Sequence, residues 1–159
     1  MRFDKLTTKF QQALAESQSL ALASDNAFIE PQHLLLAMLD DAESGVGSLL
    51  ARAGTNIGAL KSALRDSVAR LPKVSGGDGD ITVSRELGKL LNLTDQAATK
   101  RGDQFIASEL FLLVLAADKG EAARLLKQHG GQLSAIVAAV DAVRGGDGVD
   151  SADAEEQRE

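Results

Sequence analysis

Few residues in this 159-residue chain could do covalent or metal chemistry. There are two histidines, His33 and His129, and no cysteine. A metal centre needs several ligands at short, recurring spacings, and neither histidine has such neighbours. Without cysteine there is no thiolate nucleophile and no disulfide framework, which fits a reducing compartment. No serine lies in a nucleophile-elbow context. The run Gly76-Gly77-Asp78-Gly79-Asp80 lacks the Gly-Lys-Ser/Thr continuation of a phosphate loop and the ligand ladder of an EF-hand. It reads as a linker, and both histidines read as structural or surface residues. Three further polar residues stand at predicted helix ends. Thr7 is at a start, Asp103 follows a stop, and Glu109 lies in a first turn, where negative charge is favoured. Capping and solvation account for all three on physical grounds alone.

The elements that must position these residues come in two copies. Asn26-Ala27-Phe28-Ile29, followed by Leu34-Leu35-Leu36-Ala37-Met38, recurs 77 residues later as Asp103-Gln104-Phe105-Ile106, followed by Phe111-Leu112-Leu113-Val114-Leu115. Thr7, Phe10 and Leu14 fall on Ser84, Leu87 and Leu91 at the same offset. Downstream one residue is lost, so Leu49-Leu50, Gly54, Ile57 and Leu60 fall on Leu125-Leu126, Gly130, Leu133 and Ile136. The copies cover about 5–71 and 83–143. His33 falls on Leu110 and His129 on Ala53, so the histidines are not partners. A duplicated helical unit predicts one pseudo-symmetric body with a seam between its halves, a usual place for binding.

Each copy reads as four helices. The first runs from Thr7 or Thr8 to Ala23 and is broken by Asp25-Asn26. The second starts at Glu30-Pro31, where proline suits the first helical position, and ends near Asp41. A short helix covers Ser48–Ala53 after Gly45 and Gly47, and Gly54 stops it. Asn56 caps a fourth that runs to Leu71. In the second copy Ser84 is the N-cap of a helix with Leu87, Leu91, Thr94 and Ala98 inward. Helices over Ser108–Asp118, Glu121–His129 and Leu133–Val143 follow. The expectation is an all-α domain, 1–145, of two pseudo-symmetric four-helix repeats (5–71 and 83–145) joined by a linker at 72–82, then a flexible acidic linker at 146–159.

Composition agrees. The chain is rich in Leu and Ala, has no Trp or Tyr and only five Phe, which favours packed helices over sheets. No stretch approaches the roughly 20 apolar residues of a membrane span, and no apolar run follows Met1 as a signal peptide would, so a cytoplasmic, soluble protein is expected. Net charge is −6. Residues 145–159 hold six acidic side chains against Arg158, leaving the rest of the chain at −1. No basic face for nucleic acid is visible.

Positions that are apolar in one copy and polar in the other are expected near the surface. Leu93 falls on Glu16 and Leu110 on His33. Leu93 also lies off the inward stripe of its helix, with Leu90 beside it. Either the second copy exposes an apolar patch that binds another chain, or these leucines pack against the first copy in an asymmetric core.

The stretch Met1-Arg2-Phe3-Asp4-Lys5-Leu6-Thr7, with Phe10, Gln18-Ser19-Leu20-Ala21, Asp25-Asn26, Phe28-Ile29-Glu30-Pro31 and His33-Leu34-Leu35, resembles the amino-terminal domain of the ClpB disaggregase family. Leu91-Asn92-Leu93, Lys100-Arg101-Gly102-Asp103, Phe105-Ile106 and Ser108-Glu109-Leu110-Phe111 agree. The resemblance implies the double Clp repeat fold. It implies an appendage of a hexameric AAA+ chaperone of the stress response, whose remainder carries a coiled coil. Such a ring pulls unfolded or aggregated polypeptides through its pore together with the DnaK system. ATP and Mg would belong to ATPase modules absent here, since no Walker pattern occurs, so this chain is expected to be non-catalytic, cofactor-free and monomeric. The resemblance implies that Thr7, Asp103 and Glu109 engage substrate, beside an apolar groove of Leu91, Leu93 and Leu110. In the protease-coupled Clp relatives the same domain docks adaptor proteins, which is the competing expectation.

Overall fold

Thr7 and Ser84, equivalent positions of the two copies, each start a long helix in the same way. Thr7 Oγ1 accepts from the Phe10 amide at 3.3 Å and Ser84 Oγ from the Leu87 amide at 3.0 Å. Each satisfies one of the amides a helix start leaves free. The computed structural model describes residues 3–74, 80–145 and 148–155. A single 3-10 turn, Phe3–Lys5, leads into eight helices: α1 (Thr8–Ala23), α2 (Pro31–Asp40), α3 (Gly45–Arg52), α4 (Ile57–Ala69), α5 (Arg85–Arg101), α6 (Ser108–Ala116), α7 (Glu121–Gln128) and α8 (Leu133–Arg144). The described residues are all-helical apart from isolated bridges.

α3 starts three residues before its expected position. Ser44 caps it by accepting from the Val46 amide, and Val46, Leu49 and Leu50 are buried along it. Capping and burial of that face outweigh the poor helix propensity of Gly45 and Gly47. The glycine-rich run lies, over 75–79, outside the described residues.

The repeats interlock. Within each, the first and second helices pack together, α1 on α2 and α5 on α6. The short third helices cross over: α3 packs on α6 and α8, and α7 packs on α2 and α4. The segments leading into the long helices cross too. Leu6 bridges to Ile106 and Val83 bridges to Ile29. Thr7 N donates to Ile106 O at 3.0 Å, and Ser84 N donates to Ile29 O at 2.9 Å. Ile106 N donates back to Lys5 O and Ile29 N to Thr82 O, so each pseudo-symmetric crossing carries two main-chain hydrogen bonds. Its core holds Phe10 against Phe111, edge to face with centroids 6.3 Å apart.

Candidate functional site

Thr7, Asp103 and Glu109 come together, but in a polar cluster beneath the surface. Thr7 and Glu109 are buried, and the Asp103 side chain is wholly covered. Arg144, the last residue of α8, ties two of them. Its Nε donates to Glu109 Oε2 and its Nη1 lies against Asp103 Oδ2, each at 2.9 Å. Burial opposes the charge on Arg144, but Glu109 and Asp103 together outweigh burial and push its pKa up.

The third partner comes from the segment expected to be a free linker. Residues 148–155 lie against the domain. Val149 is buried, its amide donates to Asp103 Oδ1 at 3.0 Å, and its carbonyl accepts from the Gln104 and Phe105 amides. Thr8 N donates to Ala152 O at 2.9 Å. Glu155 accepts from Thr7 Oγ1, from Ser108 N at 2.7 Å and from Ser108 Oγ at 2.9 Å. Burial pushes the Glu155 carboxyl up and nearby Glu109 adds to this, against the hydrogen bonds from Thr7 and Ser108.

Comparing the copies explains why Glu155 is there. In the first copy Glu30 N donates to His33 Nδ1 at 2.8 Å, so His33 closes the start of α2 with its own side chain. In the second copy Ala107 stands where Glu30 does and Leu110 where His33 does. The start of α6 has no side-chain cap from Ala107. Glu155 supplies an acceptor from elsewhere in the chain for the Ser108 amide, whose counterpart in the first copy, Pro31, has no N–H to satisfy.

The expected apolar groove is not at the surface as drawn. Leu91 and Leu110 are core residues, 3% and 0% exposed, and Leu90 is buried with them. Leu93 alone is open, at 38%. The surface rule failed at Leu110 because its polar counterpart His33 is itself fully buried. His33 is satisfied locally, with Nε2 at 2.8 Å from Asn26 Oδ1. With Nδ1 accepting, the proton sits on Nε2, and burial lowers the pKa to about 4.

A different apolar cleft opens at the seam. It holds about 440 Å³ and is walled by Phe3, Leu6, Leu14, Ile29, Ile81 and Val83. Phe3 stands 57% exposed at its edge. The two crossing lead-in segments build it, so residues from both repeats line it. Ile81 and Val83 escaped notice because they adjoin a glycine-rich run and carry no helical period. Their one signal was alternation across Ile81-Thr82-Val83. Among the described residues no cluster of His, Cys, Asp or Glu is placed to hold a metal. Nor is any described helix long and apolar enough to cross a membrane.

Two interlocked helical repeats with an open apolar cleft at their seam define a double-repeat helical domain. Residues 5–129 match the Clp repeat (R) N-terminal domain, and the chain belongs to that family. It is similar to the chaperone protein ClpB of Dichelobacter nodosus, 44% identical over 97% of this chain. It is 43% identical over its whole length to that of Vibrio cholerae serotype O1. The chain spans 18% and 19% of those relatives' lengths. In fold it resembles the Hsp104 N-terminal domain of Candida albicans, at TM-score 0.84 and 20% identity over 95% of this chain and 99% of that one. It also resembles a ClpV N-domain solved in complex with a VipB peptide, at TM-score 0.67 and 19% identity over 86% and 89% of the two chains.

Proposed function

We propose that this domain is the non-catalytic polypeptide-binding part of a ClpB-type disaggregase, and that it holds exposed apolar segments of unfolded or aggregated proteins. The observation that carries the reading is the open cleft of Phe3, Leu14, Ile81 and Val83 at the seam. A soluble domain that leaves such a cleft uncovered gains by covering it. Burying ~250 Å² of apolar surface contributes ~6 kcal/mol gross, of which ordering and association cancel much. Affinity is then on the order of tens of micromolar or weaker, which suits capture followed by release to a pore.

In this reading Leu93 adds an exposed apolar contact on α5. Leu91 and Leu110 support that face from the core, and Thr7, Asp103 and Glu109 hold the helix ends in place. The larger protein supplies ATP hydrolysis in a hexameric ring and cooperates with the DnaK system in the cytoplasm. This domain binds no nucleotide, metal, nucleic acid or membrane, and is monomeric in isolation. A second reading, docking of a defined adaptor, draws support from the peptide-bound ClpV N-domain.

The test is an NMR titration with a permanently unfolded protein and with the same protein folded. Shifts at Phe3, Leu14, Ile81 and Val83 with the unfolded form alone are expected, and Phe3→Ser should weaken them. Response to neither form, or only to one folded partner at defined stoichiometry, would favour adaptor docking.

A further inference from the structure

Apart from the apolar cleft, the molecule carries a recognition surface that the chain fills itself. Its residues are Thr7, Thr8, Asp103, Gln104, Phe105 and Ser108, none of which walls the cleft. We infer that this surface is a receptor for a short acidic polypeptide segment supplied by another chain, with residues 149–155, which close in a turn over 151–155, as its resident occupant.

Three features define the chemistry. At one end Val149 is 0% exposed yet lies outside the continuous hydrophobic core. That is an anchor pocket for a small apolar side chain. In the middle, main-chain bonds do the holding. Gln104 N and Phe105 N donate to Val149 O at 2.7 and 3.1 Å, and Thr8 N donates to Ala152 O. Main-chain bonds of this kind give affinity without reading sequence. At the other end, six residues on, a carboxylate meets donors only: Thr7 Oγ1, Ser108 N and Ser108 Oγ. These lie at the N-termini of α1 and α6, whose partial positive charge offsets part of the opposition that burial and nearby Glu109 put to a charged carboxylate. Between the anchors Asp150 and Asp153 face solvent. The site therefore selects a small apolar residue and, six positions later, an acidic one.

The occupant is suited to exchange. Its release uncovers one small apolar side chain and opens no helix-to-helix contact of the core. The ion pairs of Arg144 with Asp103 and Glu109 involve no atom of the segment. Beside Glu155 a further cleft of about 440 Å³, lined by Ser44, Leu49, Arg52, Ser108 and Glu109, gives an incoming chain room to continue.

The experiment uses the whole 159-residue chain and a fluorescein-labelled peptide of residues 146–156. Val149→Asp in the chain places a carboxylate in the anchor pocket beside Asp103 and releases the resident segment. Removing a tethered competitor should tighten peptide binding about ten-fold or more over wild type. Peptides carrying Val149→Asp or Glu155→Lys should not bind. Ser108→Ala in the released chain should weaken binding about five-fold. Equal affinity for wild-type and released chains of unchanged helicity would overturn the inference, as would equal binding of the substituted peptides. The segment would then be only a cap for α6. Should Val149→Asp fail to fold, the wild-type chain still answers. Excess peptide should move the Val149 methyl resonances toward their free positions, and their constancy at millimolar peptide would overturn the inference. The peptide has no large apolar residue, so Phe3→Ser should leave its binding unchanged. That separates a failure here from a failure of the cleft reading.

Discussion

Gly54 and Gly130 are equivalent residues of the two repeats, and they meet at the seam. A Cβ on Gly130 would lie 2.6 Å from the Gly54 carbonyl oxygen. Both have left-handed backbone, with φ of +93° and +97°. The Asn56 amide donates to the His129 carbonyl at 2.9 Å across the same contact. Gly130→Ala therefore meets strain and a backbone clash together, and should cost about 2 kcal/mol or more. Gly102 is also left-handed but has open space around it. Gly102→Ala should cost about 1 kcal/mol. Urea unfolding of the two variants measures the difference.

Arg144→Met should be among the most damaging single changes. It leaves Asp103 and Glu109 buried, without the guanidinium that both face. Breaking a buried pair in this way costs about 3–5 kcal/mol. Adding Glu109→Gln to Arg144→Met should recover part of the loss by removing one uncompensated charge. A double-mutant cycle by chemical denaturation would show whether it does.

His33 makes the fold sensitive to acid. Its pKa in the folded protein is lowered from 6.5 to about 4 by burial. The unfolded chain takes up a proton first, so this contribution is complete above pH 6.5 and is lost as pH falls toward 4. The loss should reach on the order of 3 kcal/mol. In His33→Leu, which copies Leu110 of the other repeat, the slope of stability between pH 6.5 and 4 should flatten. Flat wild-type stability over that range would contradict the assignment.

Residues 148–155 should respond to pH in the opposite sense. Glu155 has its pKa raised in the docked state above the ordinary 4.5, by burial first and then by Glu109. Docking is therefore favoured below 4.5 and weakens as pH rises through the raised value. Hydrogen exchange should show the Ser108 and Gln104 amides losing protection relative to the core amide of Leu60 as pH increases. Glu155→Gln should abolish that trend.

Binding at the seam cleft should be insensitive to salt. Its walls are apolar, and association driven by burial has no counterion term. Affinity for an unfolded polypeptide should change less than two-fold, roughly, between low and high salt. A steep decline would place the contact on charged residues instead.

The helix starts were legible because capping is local chemistry. Thr7, Pro31, Asn56 and Ser84 each act within three residues of themselves. The duplication was legible because Phe10 and Leu87, Phe28-Ile29 and Phe105-Ile106, and Leu49-Leu50 and Leu125-Leu126 keep one hydrophobic pattern in both copies. Leu91, matched to the apolar Leu14, already read as inward and was drawn into the groove by the resemblance alone. Leu110 was misplaced because comparing copies assumes that a polar residue marks a surface. His33 breaks that assumption by finding both its partners, Glu30 N and Asn26 Oδ1, within seven residues. The acidic composition of the last segment suggested a solvated linker, and one buried valine and one capping carboxylate were too few to register in it.

By itself the sequence determined two copies of a helical unit, their caps and stops, and the family to which they belong. These rest on interactions between residues close in the chain, which pattern and spacing express directly. Only the tertiary structure decided that the lead-in segments cross, that Ile81 and Val83 join Phe3 and Leu14 in one cleft, and that Glu155 closes a helix 47 residues away. Such pairings depend on which unsatisfied groups and uncovered apolar faces are left once the helices have packed. No local pattern records that remainder.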